Sequence, residues 1–308
     1  LQVAVLGGAP AIVFVLCLLS SALAHALSAA RPRRRAWLAL APSLGVVLIA
    51  LAFGIGRIAA TPKEPVIPVA LAALDPDDVL PTDWRKSLDA YRPLLSQARA
   101  RQVELVVLPE EIAVVASVDL SVLEADLGSI ASDAQMSIAV GFRVVDAGRM
   151  RNVLLFAMPD ARVRAYDKQH LVPGLEIPKI TPGSRPPLIV EVGAVRFGAA
   201  VCKDMDFVAV GRILGNGGAH VVAVPAWDFG EDAWLHGRMA MLRAVEGGFT
   251  LVRSARNGTM SVSDRFGRVR AEAPSGPRAP LLVAQAPVSA AAPTTYAGVG
   301  DAFGWACL

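Results

Sequence analysis

Cysteine is scarce in this chain: three in 308 residues, at Cys17, Cys202 and Cys307. One lies in an apolar N-terminal run and one in an apolar tail, so they offer no disulfide framework. No CxxC pair or HExxH motif is present, and His25, His170, His220 and His236 are scattered. A structural zinc site is therefore not expected, and the chemistry is expected to need neither metal nor cofactor. Excess basic charge is also lacking. The formal net charge is +3, and the cluster Arg31, Arg33, Arg34 and Arg35 alone exceeds it. The remainder is close to neutral and has no basic stripe for nucleic acid, which excludes a polynucleotide partner. Charge is missing altogether from Leu1 to Ala30 and from Ala36 to Gly56.

What the chain has in abundance is apolar side chains, 54% of the total, more than a purely soluble protein carries. The 21 residues from Ala36 to Gly56 make about 31 Å of helix, enough to cross a hydrocarbon core. Residues 1–60 read as a transmembrane helical hairpin with the basic loop 31–35 between its spans. A signal peptide would carry its positive charge before the apolar run, not after it. Short basic loops are retained in the cytoplasm, so everything after Arg57 is expected on the outer face of the membrane. A buried hairpin inside a soluble domain is the competing reading. The chain opens with Leu1 rather than methionine, from which further spans upstream are expected.

Residues 61–68, with three prolines, read as a linker. From Val66 short apolar runs alternate with amphipathic stretches. Strands are expected at Val66–Leu74, Val103–Leu108, Ser137–Val145, Val153–Met158, Val163–Tyr166, Val195–Val201 and His220–Val224. A closing set follows at Phe249–Ala255, Gly258–Asp264, Val269–Ala273 and Leu281–Ala284. Helices are expected at Asp83–Arg101 and Glu231–Gly247, the second ended by Gly247-Gly248. Such alternation implies an α/β domain, residues 66–298, with sheets covered by helices. Residues 299–308 form an apolar tail.

Three residues stand where strands end: Glu110, Lys168 and Cys202. No local motif links them, and only a sheet brings such distant positions to one edge, where α/β folds gather their ligand sites. Taken singly, each has a bland reading, an inert buried thiol or a solvated charge. Together they suit acyl transfer through a thioester. The thiol needs a base, for which Glu110 serves, and Lys168 can stabilise both the thiolate and the oxyanion of a tetrahedral intermediate. Glu110 then returns a proton to the leaving amine.

The segments Leu108-Pro109-Glu110, Tyr166-Asp167-Lys168-Gln169-His170-Leu171-Val172-Pro173 and Ala200-Val201-Cys202 resemble, in order, the Glu, Lys and Cys segments of the carbon-nitrogen hydrolase (nitrilase) superfamily. The His-Leu-Val-Pro run is most similar to the apolipoprotein N-acyltransferases. Arg151-Asn152, Ala226-Trp227-Asp228-Phe229-Gly230, the stretch with His236, Met239, Arg243 and Glu246, and Arg253-Ser254-Ala255-Arg256-Asn257-Gly258 extend the likeness. Gly300 to Trp305 resembles the segment leading into that family's last span.

The resemblance implies a nitrilase-like four-layer α-β-β-α sandwich, anchored in an inner membrane and facing outward. It assigns Cys202 as nucleophile, Glu110 as base, Lys168 as oxyanion partner and Glu176 as the second glutamate, with Asp204, Asn152 and Trp227 in support. Glu110, not Glu111, is the matching glutamate, because it directly follows the proline. The implied partners are an acyl donor, phospholipid or small amide, and a lipoprotein or amine acceptor. The chain departs from the acyltransferases at Gly174-Leu175-Glu176-Ile177, at the short connection from Glu176 to Leu188, and at Lys203-Asp204. Lys203 is expected to lower the thiol pKa, and the short connection to leave the acyl-enzyme open to water. Amide-forming acyl transfer through a Cys202 acyl-enzyme is thus the leading expectation, with amidase or nitrilase-type hydrolysis of small amides as the alternative and a silent ligand-sensing domain as the second alternative.

Overall fold

The computed structural model describes residues 1–28, 38, 40–60, 63–74, 80–276, 280–288 and 292–308. The first sheet is built from β1 (Val66–Ala72), β2 (Leu105–Val107), β3 (Val114–Ala116), β4 (Ser137–Asp146), β5 (Arg149–Ala157), β6 (Val163–Asp167) and β13 (Leu281–Pro287). Its order is β13-β1-β2-β4-β5-β6, with β3 paired to β4. The second holds β7 (Leu188–Val192), β8 (Val195–Ala199), β9 (Val221–Trp227), β10 (Thr250–Arg256), β11 (Thr259–Ser263) and β12 (Val269–Pro274), in the order β12-β11-β10-β9-β8-β7. Parallel pairing joins β1-β2-β4 and β8-β9-β10 at the centres, and β3 to β4.

Period-two alternation divides each central strand between two cores. Val69 and Leu71 of β1, Leu105 and Val107 of β2, Phe197 of β8 and Val252 of β10 share one buried cluster, so the sheets pack face to face. Ala70, Val106 and Ile138, on the opposite face of the first sheet, pack against α3 (Trp84–Ala100) and α4 (Leu120–Ala134). Val222, Val224 and Leu251 do the same for the second sheet, against α5 (Val208–Asn216) and α6 (Ala233–Gly247). This is the expected α-β-β-α layering.

Local chemistry explains the helix limits. Asp83 caps α3, its carboxylate accepting from the amides of Arg85 and Lys86 at 3.1 Å each, and Trp84, Leu88, Tyr91, Leu95 and Ala98 form its buried face. Gly248, at φ +83°, closes α6 in a left-handed turn. The helix expected from Glu231 begins two residues later, after a turn at Gly230. β1 ends at Ala72 and β2 covers only Leu105–Val107, so both strands are shorter than their apolar runs.

N-terminal to the sheets, α1 (Ala4–Ser28) and α2 (Leu40–Ala59) pack against each other, each long and apolar enough to cross a membrane. Leu16, Leu27, Ile49 and Ile55 are 66–71% exposed on them. The basic loop 31–35 lies outside the described residues, as do positions 61 and 62 of the expected linker. Val66 to Pro68, also assigned to that linker, already belong to β1 and pair with β13.

α1 is docked onto the catalytic layers rather than tethered loosely. It breaks at Gly7 and Gly8, and the amide of Ala9, freed by the break, donates to Glu246 on α6 at 2.9 Å. Gly8, at φ +65°, lies so close to Tyr296 that a Cβ would sit 2.4 Å from its ring. Tyr296 belongs to α7 (Thr295–Val299), and the following α8 (Ala302–Ala306) sets Phe303 edge-on to Phe14. The apolar tail therefore folds back onto α1.

Candidate active site

β2, β6 and β8 end at the same edge of the two facing sheets, and the segments beyond them converge. Glu110 follows β2 through Leu108 and Pro109. Its backbone lies against Gly141 of β4, where a Cβ would come within 2.7 Å of the Glu110 Cα, so only glycine permits this approach. Lys168 follows β6, its amide bonded to the Asn152 carbonyl at 2.8 Å. Cys202 opens a 3-10 turn, Cys202–Asp206, after β8. Its φ is +43°, a left-handed conformation that a non-glycine residue holds only under constraint.

The constraint comes from Asp204, which is fully buried. Its Oδ2 accepts from the Val201 amide at 3.1 Å and the Tyr166 hydroxyl at 2.9 Å. Its Oδ1 accepts from the amides of Gln169 and His170 at 3.2 and 2.9 Å. One carboxylate thus ties the Cys202 turn to the segment that carries Lys168.

Lys168, 2% exposed, sends its ammonium to Glu110 Oε1 and to Glu176 Oε2, both at 2.8 Å. The Asn152 amide bridges the same two carboxylates, at 2.7 Å to Glu110 and 3.0 Å to Glu176. Glu176 is further fixed by the Val172 amide at 2.7 Å. Burial opposes the Lys168 charge, yet Glu110, with Glu176 beside it, outweighs it and pushes the ammonium above its ordinary range. The thiol of Cys202, 5% exposed, is pushed up by burial and then by Glu110. Lys168 and Arg253 pull it down without offsetting this. At rest the sulfur is therefore a neutral thiol, 3.5 Å from the Trp227 carbonyl that accepts from it.

One sequence expectation needs correction. Lys203 does not activate the thiol: its ammonium pairs with Asp206 at 3.1 Å, a local contact that spends its charge away from the sulfur. Glu110 and Glu111 are separated unambiguously. Glu110 faces Lys168, whereas Glu111 turns to Arg143, which bonds it through Nε at 2.9 Å and Nη2 at 2.5 Å. Burial pushes the Glu111 carboxyl up to about 7.

Glu110, Lys168, Glu176 and Cys202 line a cavity of about 490 Å³. Leu80, Met150, Val172, Leu175, Ile180 and Phe229 supply its apolar wall. Trp227 lines it too, with the Arg256 guanidinium 3.9 Å above its ring. Asp228, Arg253 and His236 stand behind the nucleophile. Sequence reading matched their segments but gave them no task, because their contacts join positions far apart in the chain. No cluster of metal-ligating side chains occurs among the described residues.

A profile of the carbon-nitrogen hydrolases matches residues 68–294. The chain belongs to the carbon-nitrogen hydrolase family. An (R)-stereoselective amidase of Pseudomonas sp. is 31% identical over 149 residues, which is 45% of this chain and about half, 53%, of that enzyme's length. Among solved structures, an amidase of Nesterenkonia sp. AN1 superposes with a TM-score of 0.67 at 22% identity, over 79% of this chain and all of its own. A variant of that amidase carries the acetamide moiety of fluoroacetamide on its active-site cysteine, and superposes with a TM-score of 0.67 at 21% identity, over 80% of this chain and 100% of its own. The Nesterenkonia amidase shares the nitrilase-like fold with this chain. The finer likeness to apolipoprotein N-acyltransferase rests on the sequence segments alone.

Proposed function

We propose that this carbon-nitrogen hydrolase cleaves amides through an acyl-enzyme on Cys202. The observation that carries the reading is the sealed Glu110-Lys168-Glu176 network beside a constrained thiol, in a cavity with room for a small-molecule amide. The amidases among the relatives support it. Substrate carbonyl carbon is attacked by sulfur as the thiol proton passes to Glu110. The Lys168 ammonium faces the developing oxyanion, a contribution of about 3 kcal/mol for one well-placed donor. Collapse expels the amine, which takes the proton from Glu110 and leaves a thioester. Water then attacks the thioester, giving its proton to Glu110, and the acid departs as the thiol reforms. Glu176 and Asn152 hold the Glu110 and Lys168 groups in register, so that neither must reorganise during the reaction.

A second reading, amide-forming acyl transfer from a phospholipid to an amine, is favoured by one feature. Leu175 and Phe229 line the cavity while remaining 50% and 46% exposed, an apolar mouth on a domain docked to two apolar helices. Both readings use the same thioester and differ in the acceptor. Purified chain in bilayers, given small amides or phospholipid with a diacylated lipopeptide, separates them. Ammonia release from small amides supports hydrolysis. A long-chain thioester on Cys202 that discharges only to the lipopeptide overturns it.

We also propose that the hairpin anchors the domain on the outer face of an inner membrane. The four arginines of the loop support this orientation. Proteolysis of the domain in cells with an opened outer barrier, and protection in inverted vesicles, is the expected pattern; the reverse pattern overturns it.

A further inference from the structure

Behind the nucleophile lies a partly buried chain of alternating charge that the acyl-enzyme chemistry does not use. Asp206 ends the turn that Cys202 begins, and Asp228 follows Trp227, whose carbonyl accepts from the Cys202 thiol. His236, on the second turn of α6, stands between the two carboxylates. Its Nδ1 is 3.2 Å from Asp228 Oδ1 and its Nε2 is 3.6 Å from Asp206 Oδ2. Each carboxylate also holds a second cation. Arg253 grips Asp228 through two bonds of 2.5 and 3.0 Å, and Lys203 reaches Asp206 at 3.1 Å.

An ionised carboxylate only accepts hydrogen bonds, so Nδ1 donates to Asp228, and Nε2, at ion-pair distance from Asp206, faces a second acceptor. A neutral imidazole has one donor, and its remaining lone pair would face a carboxylate oxygen. We propose that His236 is a positioning residue for the reaction, an imidazolium that clamps the Cys202 turn to the strand end carrying Trp227. The proposal rests on Cys202 being the nucleophile, and adds how its turn is kept in place.

The surroundings favour the charged ring. Bonds to Asp206 and then Asp228 push it up to about 9 against burial and the opposing charge of Arg253. Other charges near α6 are committed elsewhere: Arg238 to Glu272, Arg243 to Glu246, and Arg212 of α5 to the carbonyls of Ala297 and Gly298. α1, β11 and α7, also packed on α6, bring no ionised side chain to the ring. The raised pKa means that the clamp is complete below about 6.5, persists through neutral pH and is released as pH rises through about 9.

The test uses the full chain in micelles with a small amide and follows kcat, KM and the rate of Cys202 alkylation by iodoacetamide across pH. Wild type with no turnover and no selective alkylation would remove the Cys202 reading itself, a result distinct from failure of the clamp. Given an active wild type, His236→Gln should lower kcat roughly 10- to 100-fold with KM within about twofold, since small displacements of a reacting atom have such effects. In that variant the glutamine oxygen faces one carboxylate. Adding Asp206→Asn supplies a donor to that oxygen, so the double variant His236→Gln/Asp206→Asn should recover part of kcat and lose the limb near pH 9. Histidine-selective nitrogen NMR of the wild type bypasses any folding defect, and both ring nitrogens of His236 should be protonated at pH 7. A neutral His236 at pH 7, or a folded His236→Gln with unchanged kcat and alkaline limb, overturns the proposal.

Discussion

Glu110 and Lys168 form an ion pair of 2.8 Å with side chains 3% and 1% exposed. A pair so sealed is costly to assemble and more costly to break, because either partner alone would be an uncompensated buried charge. Glu176 makes it tolerable: the ammonium has two carboxylate acceptors, and the Asn152 amide spans both. Rigid charge next to a neutral thiol is the arrangement that electrostatic stabilisation of a transition state requires.

Cys202→Ala should reduce turnover by at least about 10³-fold while the protein remains folded, since nothing else in the cavity can form the thioester. Circular dichroism and amide turnover measure the two outcomes. Cys17→Ala and Cys307→Ala, at exposed positions in the apolar segments, should retain activity in the same assay. Near-normal turnover by Cys202→Ala would remove the thioester mechanism.

Glu110→Gln and Glu111→Gln should part company despite their adjacency. The first removes the proposed base and should abolish turnover; the second leaves that carboxylate intact and breaks the Arg143 pair. Glu111 also carries a pH signature. Its folded pKa of about 7 lies above the ordinary 4.5, so its contribution is fully present below about 4.5 and is lost as pH rises through about 7. Glu111→Gln should flatten part of that decline in thermal stability. Glu246, pushed up to about 7 by burial, should leave the rest.

Asp204→Asn should destabilise by roughly 2–4 kcal/mol, because it turns an amide NH2 toward donors that now share one carboxylate. Activity should fall with it, as the turn holding Cys202 at φ +43° loses its anchor. Denaturant midpoints and kcat report the two effects. An unchanged kcat in a destabilised but folded variant would separate Asp204 from the geometry of the nucleophile.

Gly141→Ala tests the placement of Glu110. The added methyl would meet the Glu110 Cα at 2.7 Å and the Glu111 amide at 2.8 Å, both backbone atoms that cannot swing aside. A loss of about 1–3 kcal/mol and a kcat lowered roughly 10- to 100-fold are expected. Wild-type kcat would mean that Glu110 tolerates displacement and is not a positioned base.

Much of the layered domain was legible because apolar runs and turn residues are local signals. α4 and α5 were not recognised. α4 mixes Ser, Asp and Gly among its apolar positions, and the nine residues of α5, mostly apolar, read equally well as a strand. β3 has three residues and exists only through its pairing with β4. Within the site, residue types and ordered segments pointed to Glu110, Lys168, Cys202 and Glu176, whereas the Lys203 charge was misjudged because its partner Asp206 could not be assigned.

The sequence by itself determined the chemical inventory: a thiol, a glutamate and a lysine at strand ends, a near-neutral domain, and two charge-free N-terminal runs. These follow from composition and periodicity, which are properties of neighbours along the chain. Only the tertiary structure decided which carboxylate meets which cation. Glu110 rather than Glu111 faces Lys168, Asp206 takes Lys203, and His236 bridges Asp206 and Asp228. Those choices depend on side-chain direction and burial at contacts remote in sequence, where a rotation of one residue along the backbone exchanges a base for a structural ion pair.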